Sequence, residues 1–285
     1  MLEEIEVYSD ETKEDISIYS YIKGSSEDIE KYRNDCISFV GGAGLSKGSD
    51  ISSQNQLARA ESLLELLEKS SLGVILVLSN TKALNEATKS WVQLSRKCLE
   101  NMPGSAQLSE VQKTVVSQRC TQLLPFFAAM DPNDLRLVSF YPDNTGKWID
   151  HQNSIIKISS PELKACCDVT LKTFVAMNAR ATARLFTHAH GKEIPEIQLL
   201  EPQTEAHEIL ICIVDYLANF SLNYLRLAAG CIVSDRQEEK ASIIGRLFPK
   251  LGDSALLKFF VEVDGKLEFD TTDGNSRYVT ELKIL

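Results

Sequence analysis

Residues 36–50, CISFVGGAGLSKGSD, place three glycines within four residues, then a lysine, ahead of a helical segment. Glycine lets backbone N–H groups approach an anion closely, and a helix N-terminus favours negative charge. The chemistry open to such a loop is therefore phosphate binding, with Gly42, Gly44 and Ser46 as the contacting residues. The phosphate-loop spacing is not met, because Lys47 follows Ser46 and precedes Gly48. The dinucleotide spacing GxGxxG is not met either, since Lys47 stands where the third glycine belongs.

A second candidate is the basic segment 160–191. Leu163, Cys167, Leu171, Phe174, Ala181 and Leu185 keep helical spacing and form the expected buried stripe. Lys164, Lys172, Arg180, Arg184, His188 and Lys192 make this the sizeable net-positive stretch of an acidic chain. Such a face neutralises the phosphates of single-stranded RNA or DNA without reading bases. A third candidate is the line Asp215, Asn219, Asn223 and Arg226, whose spacing puts all four on one face of an apolar helix. Its first reading is the wet side of a core helix; the other is a buried network or a cleft lining. The four histidines suggest no triad, and no serine or cysteine has a GxSxG context.

Gly42, Ala43, Gly44, Leu45 and Ser46 resemble the loop that opens the NAD-binding domain of the sirtuin family. That resemblance implies a nucleotide-binding enzyme and covers about a dozen residues. The family's Asn-Asp ribose motif has no counterpart, and His190-Gly191 closes a helical segment instead of following a strand. The bland alternative is a Gly/Ser linker.

Elements must position these residues. Residues 1–23 read as an acidic arm with weak strand signals in EIEVY and ISIYSYI. Leu57, Ala60, Leu63, Leu64 and Leu67 mark an amphipathic helix over 53–71. GVILVLSN is a buried strand or a helix start, and 81–102 is helical up to Pro103-Gly104. A further helix is expected over 108–130, and a hairpin over 135–153, turning at PDNTG. A long apolar helix runs to Gly230, a shorter one lies near 235–248, and Asp264-Gly265 is a type I′ hairpin signal.

The expected fold class is α+β, mainly α-helical: a multi-helix core with small antiparallel hairpins and an acidic N-terminal arm. The expected organisation is an arm over 1–35, a helical region over 36–158 ending in a hairpin, and a second over 159–285 with a terminal hairpin. The chain has 285 residues and a net charge of −10, of which residues 1–35 carry −7. The seven scattered cysteines form no CxxC and suit reduced thiols, so a cytoplasmic setting is expected. No apolar run suggests a membrane span, and no cofactor or metal is expected. Without a complete catalytic motif, the function expected is non-enzymatic: a self-associating subunit that coats single-stranded RNA, as a viral nucleocapsid does, with a helical protein-interaction scaffold as a further alternative.

Overall fold

The computed structural model describes residues 4–14, 16–42, 44–110, 137–143, 197–200, 203–251, 255–263 and 266–272, with a few isolated positions between 113 and 181. Its organising element is one seven-stranded mixed sheet. The strands are β1 (Glu4–Lys13), β2 (Ile16–Ser25), β3 (Gly73–Asn80), β4 (Leu137–Pro142), β5 (Ile197–Leu200), β6 (Ala255–Val263) and β7 (Lys266–Thr272). They lie in the order β5-β4-β1-β2-β3-β6-β7. β1, β2 and β3 are antiparallel neighbours, β4 runs parallel to β1, and β5 runs parallel to β4. On the other side β6 runs parallel to β3 and pairs antiparallel with β7.

The helices among the described residues are α1 (Ser26–Val40), α2 (Gln54–Glu68), α3 (Thr81–Glu100), α4 (Ile209–Ala228) and α5 (Asp235–Leu251). Strand alternation sends successive side chains to opposite faces. Tyr8, Ile18, Ile22, Val74, Leu76 and Leu78 pack with α1, α2, α4 and α5 in one core. Ile5, Val7, Tyr19, Tyr21, Ile75, Val77, Val138 and Phe140 alternate with that set and are also buried. α3 packs against β3 and β7. The central antiparallel strands are therefore buried on both faces, and the parallel pairs β1–β4 and β3–β6 flank them.

Local chemistry explains the helix ends. Ser25 accepts from the Asp28 N–H at the start of α1, and Ser53 with Gln56 forms a full capping box on α2. Gly41 ends α1 at φ 60°, donating its N–H to the Ile37 carbonyl at 3.0 Å. The stripe expected on α2 is buried as read. GVILVLSN is a strand. β6 and β7 pair antiparallel out to Val263 and Lys266, and the turn expected at Asp264-Gly265 lies outside the described residues.

The α+β class stands, but two parts of the expectation are corrected. Residues 4–25 are not an arm: β1 and β2 are central strands, with Ile5, Val7, Tyr8, Ile18, Tyr21 and Ile22 all buried. Net charge misled here, because Glu27, Glu30 and Asp35 sit on the solvent side of α1 while the apolar residues alternate inward. Nor do the strands form separate small hairpins: all seven share one sheet. β4, expected to open a hairpin over 135–153, finds its partners in β1 and β5. Among the described residues one helix, α4, is long and apolar enough to cross a membrane, and 72% of its apolar window is buried in the fold.

Candidate functional site

Three aspartates from distant parts of the chain meet at one end of the sheet. Ser9 of β1 pairs with Pro142 of β4, and the Asp143 N–H donates to the Ser9 carbonyl at 2.7 Å. Parallel register therefore sets Asp10 and Asp143 side by side, on the face where Tyr8 stacks on Tyr141 at 4.8 Å. α4 crosses that face. Ser20, opposite Asp10 on β2, donates to the carbonyls of Val214 at 2.6 Å and Asp10 at 3.2 Å, which brings Asp215 over the pair. Asp143 also bridges to Gln203, whose N–H donates to the Pro142 carbonyl at 2.9 Å. That contact carries Thr204 and Glu205 to the same edge.

The electrostatics follow from burial with too few cations. Asp10 and Asp143 are only 7% and 5% exposed. Burial first, then the charges of Asp215 and Asp143, hold the Asp10 carboxyl well above the usual range, although it accepts from the Glu11 N–H at 2.7 Å. Burial and then Glu205 push Asp143 up to about 7, with Lys47 pulling the other way. Burial pushes Asp215 up to about 6, against the Gly48 N–H that donates to its Oδ2 at 2.5 Å. The Asp10 side chain also acts to lower it.

The glycine-rich segment delivers the cation. Once Gly41 and Gly42 have turned the chain out of α1 at positive φ, the segment is clamped onto α4 and α5. The Tyr216 hydroxyl donates to the Ser46 carbonyl at 2.8 Å, and Gln56 donates to the Ser46 hydroxyl at 2.6 Å. The ammonium of Lys240, itself 4% exposed, donates to the Gly48 carbonyl at 2.6 Å and lies 5.9 Å from the Phe220 ring centroid. A Cβ at residue 48 would stand 3.0 Å from that of Asn219, so any larger residue would push α4 or its side chain aside by a few tenths of an ångström. Between these clamps Lys47 extends to Glu205 at 2.5 Å. Burial works against its charge, but the Glu205 bond and the acids beyond it raise its pKa on balance.

Three oxygens at this end lack partners. Both carboxyl oxygens of Asp143 and the Thr204 hydroxyl are buried without a hydrogen bond. Buried polar atoms left this way cost about 1–3 kcal/mol each. Among the described residues no three His, Cys, Asp or Glu side chains already converge in a metal-holding arrangement. Instead burial holds the Asp10 and Asp215 carboxyls above their usual range, and both Asp143 oxygens lack a hydrogen-bond partner. A divalent cation drawn between them would satisfy carboxylates with a charge they lack, and hard oxygen donors are the preference of Mg²⁺ and Mn²⁺.

The residues singled out in the sequence fare differently. Lys164, Lys172, Arg180, Arg184, His188 and Lys192 lie outside the described residues. Of the stripe expected on that segment only Ala181 is described; it is helical but exposed. That corrects its place on the inner face. Gly44 accepts from Arg59 at 3.2 Å through its carbonyl, and Ser46 is held by Gln56 and Tyr216. The helix after the loop starts only at Gln54 and is already capped by Ser53. The polar line is not the wet side of α4. Asn223 is buried and donates to the Asn219 carbonyl at 2.9 Å, Asn219 meets Gly48, and Arg226 pairs with Glu14. Asp10, Asp143, Glu205 and the role of Lys47 escaped the sequence reading. A mid-strand acid in an alternating run, YSDET, was the one available signal. Comparison with known proteins found no matching family model, no matching curated protein and no matching solved structure.

Proposed function

We propose that this chain is a divalent-cation-dependent phosphoester hydrolase, with Asp10, Asp143 and Asp215 as its cation ligands. The observation that supports it most is the pair of buried, unpartnered Asp143 oxygens beside two more carboxyls that burial holds above their usual range. A purely structural acid cluster would be paired, as buried charges are elsewhere. An all-carboxylate donor set selects hard cations, and those cations serve phosphoryl chemistry by neutralising the oxygens around phosphorus and lowering the pKa of water.

In this reading Asp10, Asp143 and Asp215 would hold the cation, which would neutralise charge at phosphorus and lower the pKa of water. The attacking water gives its proton to solvent. The water oxygen bonds to phosphorus, the ester P–O bond breaks, and the leaving oxygen takes a proton from solvent. Phosphodiesters of nucleic acid are the favoured substrates. Single-stranded nucleic acid, expected above as cargo to be coated, becomes the substrate.

Titration calorimetry with Mn²⁺, followed by hydrolysis of bis(p-nitrophenyl) phosphate and of single-stranded oligonucleotides, tests the proposal. Saturable Mn²⁺ heat and cation-dependent cleavage, both lost in Asp143→Asn, are expected. Absence of Mn²⁺ binding by the unaltered protein overturns it.

A further inference from the structure

We propose that Lys47 seats the phosphodiester of single-stranded nucleic acid at this site, and that Glu205 holds the ammonium until a substrate phosphate displaces it. The inference rests on the reading that the three aspartates hold divalent cations. Lys47 reaches the cluster from outside: its charge acts on both Asp143 and Asp215, while its Nζ lies 2.5 Å from Glu205. The Lys47 side chain is 47% exposed and that of Glu205 21%, so the pair sits at the mouth of a buried cluster.

The backbone around Lys47 is immobilised far beyond what a linker between two helices needs. The Ser46 carbonyl, the Gly48 N–H and the Gly48 carbonyl are taken by Tyr216, Asp215 and Lys240. Asp50 closes the turn by donating to the Lys47 carbonyl at 3.0 Å. Only the Lys47 side chain is left free to change partner. One of the clamps is Asp215 itself, so the strap and a cation ligand are set by the same bond.

The exchange is feasible on energetic grounds. A half-exposed ion pair such as Lys47–Glu205 is weak and readily exchanged. A phosphate oxygen offers the ammonium a charge-assisted bond of the same kind as the one it gives up. Glu205 keeps the cation oriented in the empty site, where a free lysine would pay side-chain entropy to be ordered. The loop is thus an anion site, but through the lysine side chain and not through glycine N–H groups.

The test measures binding of short fluorescein-labelled single-stranded DNA and RNA by anisotropy in Ca²⁺, across a salt series, with Mn²⁺ calorimetry on the same proteins. Lys47→Gln is expected to raise Kd about tenfold, the loss of one charge-assisted bond. It should flatten the log-affinity against log-salt slope by about 0.7. Lys47→Arg should restore both, Glu205→Gln should tighten binding about threefold by releasing Lys47, and all three should keep the Mn²⁺ heat. An unchanged Kd and slope in Lys47→Gln, with Mn²⁺ heat intact, overturns this inference and leaves the carboxylate site standing. No Mn²⁺ heat in the unaltered protein overturns the underlying reading and this one with it. Displacement of the oligonucleotide by inorganic phosphate at equal concentration would assign the seat to free phosphate and overturn the nucleic-acid substrate.

Discussion

Two polar clusters sit two residues apart on the same face of β1, and they are built on opposite terms. Around Tyr8, Arg33 contacts everything within reach: Glu208 at 3.2 Å, the Tyr8 hydroxyl at 2.6 Å, Glu6 at 3.8 Å, and Glu30. Tyr8 in turn donates to Glu6 at 2.9 Å, and Glu208 caps α4 by accepting from the Leu210 N–H at 3.1 Å. Burial opposes the Arg33 charge, but Glu208 and Tyr8 outweigh it and raise its pKa. Around Asp10 three carboxyls face one half-exposed lysine, and Asp143 has no partner. The first cluster ties α1, β1 and α4 together. The second stores unfavourable charge where the same strands end. A fold of marginal net stability retains such a cost where something outside the chain relieves it.

The largest expected effect separates the clusters by activity. Asp10→Asn and Asp143→Asn should each lower cation-dependent phosphodiester cleavage by about 10³-fold or more, on the scale of a lost transition-state electrostatic contact. Arg33→Met should leave the residual folded fraction active. Cleavage assays on the purified variants decide it; equal losses in both clusters would erase the distinction.

Stability should show the reverse order. Arg33→Met strands Glu208, Glu6 and Tyr8, and should destabilise by about 3 kcal/mol in urea unfolding, as expected for breaking a partly buried network. Asp143→Asn should instead stabilise the cation-free protein by roughly 1–3 kcal/mol at pH 8, because it removes a buried charge.

A pH series sharpens that contrast. Asp143 and Asp215 are raised in the fold to about 7 and about 6, against about 3.9 when unfolded. A carboxyl raised in the fold favours the native state fully below its unfolded pKa, and that contribution is lost as pH rises through the folded value. Thermal midpoints without divalent cation should therefore fall between about pH 4 and 7. Mn²⁺ should restore much of the loss, and Asp143→Asn should reduce it. A midpoint that climbs steadily over that range, unaffected by Mn²⁺, would contradict the account.

The smallest effect concerns the strap. Gly48→Ala introduces a Cβ 3.0 Å from that of Asn219. It should cost about 1 kcal/mol of stability and weaken oligonucleotide binding severalfold without altering Mn²⁺ heat. A variant with normal binding would mean that the loop geometry does not set the position of Lys47.

Periodicity was legible in the sequence. The α2 stripe and the apolar β3 run are determined by neighbours within a few residues, so a local reading finds the first and narrows the second to a strand or a helix start. The same local grammar placed Asp215 and Asn219 on one helical face. It misjudged Asp143, because PDNTG has turn chemistry whether or not its aspartate faces a site.

Tertiary structure alone decided the rest. Asp10 joins Asp143 because β4 pairs in parallel with β1 across more than a hundred intervening residues, and no local pattern encodes that register. The acidic N-terminus became the centre of the sheet because apolar alternation, and not net charge, decides what is buried. The glycine loop had the composition of a phosphate cradle. It became a lysine strap because Asp215 takes the Gly48 N–H that an anion would have used, while Tyr216 and Lys240, also from helices late in the chain, tie down the Ser46 and Gly48 carbonyls.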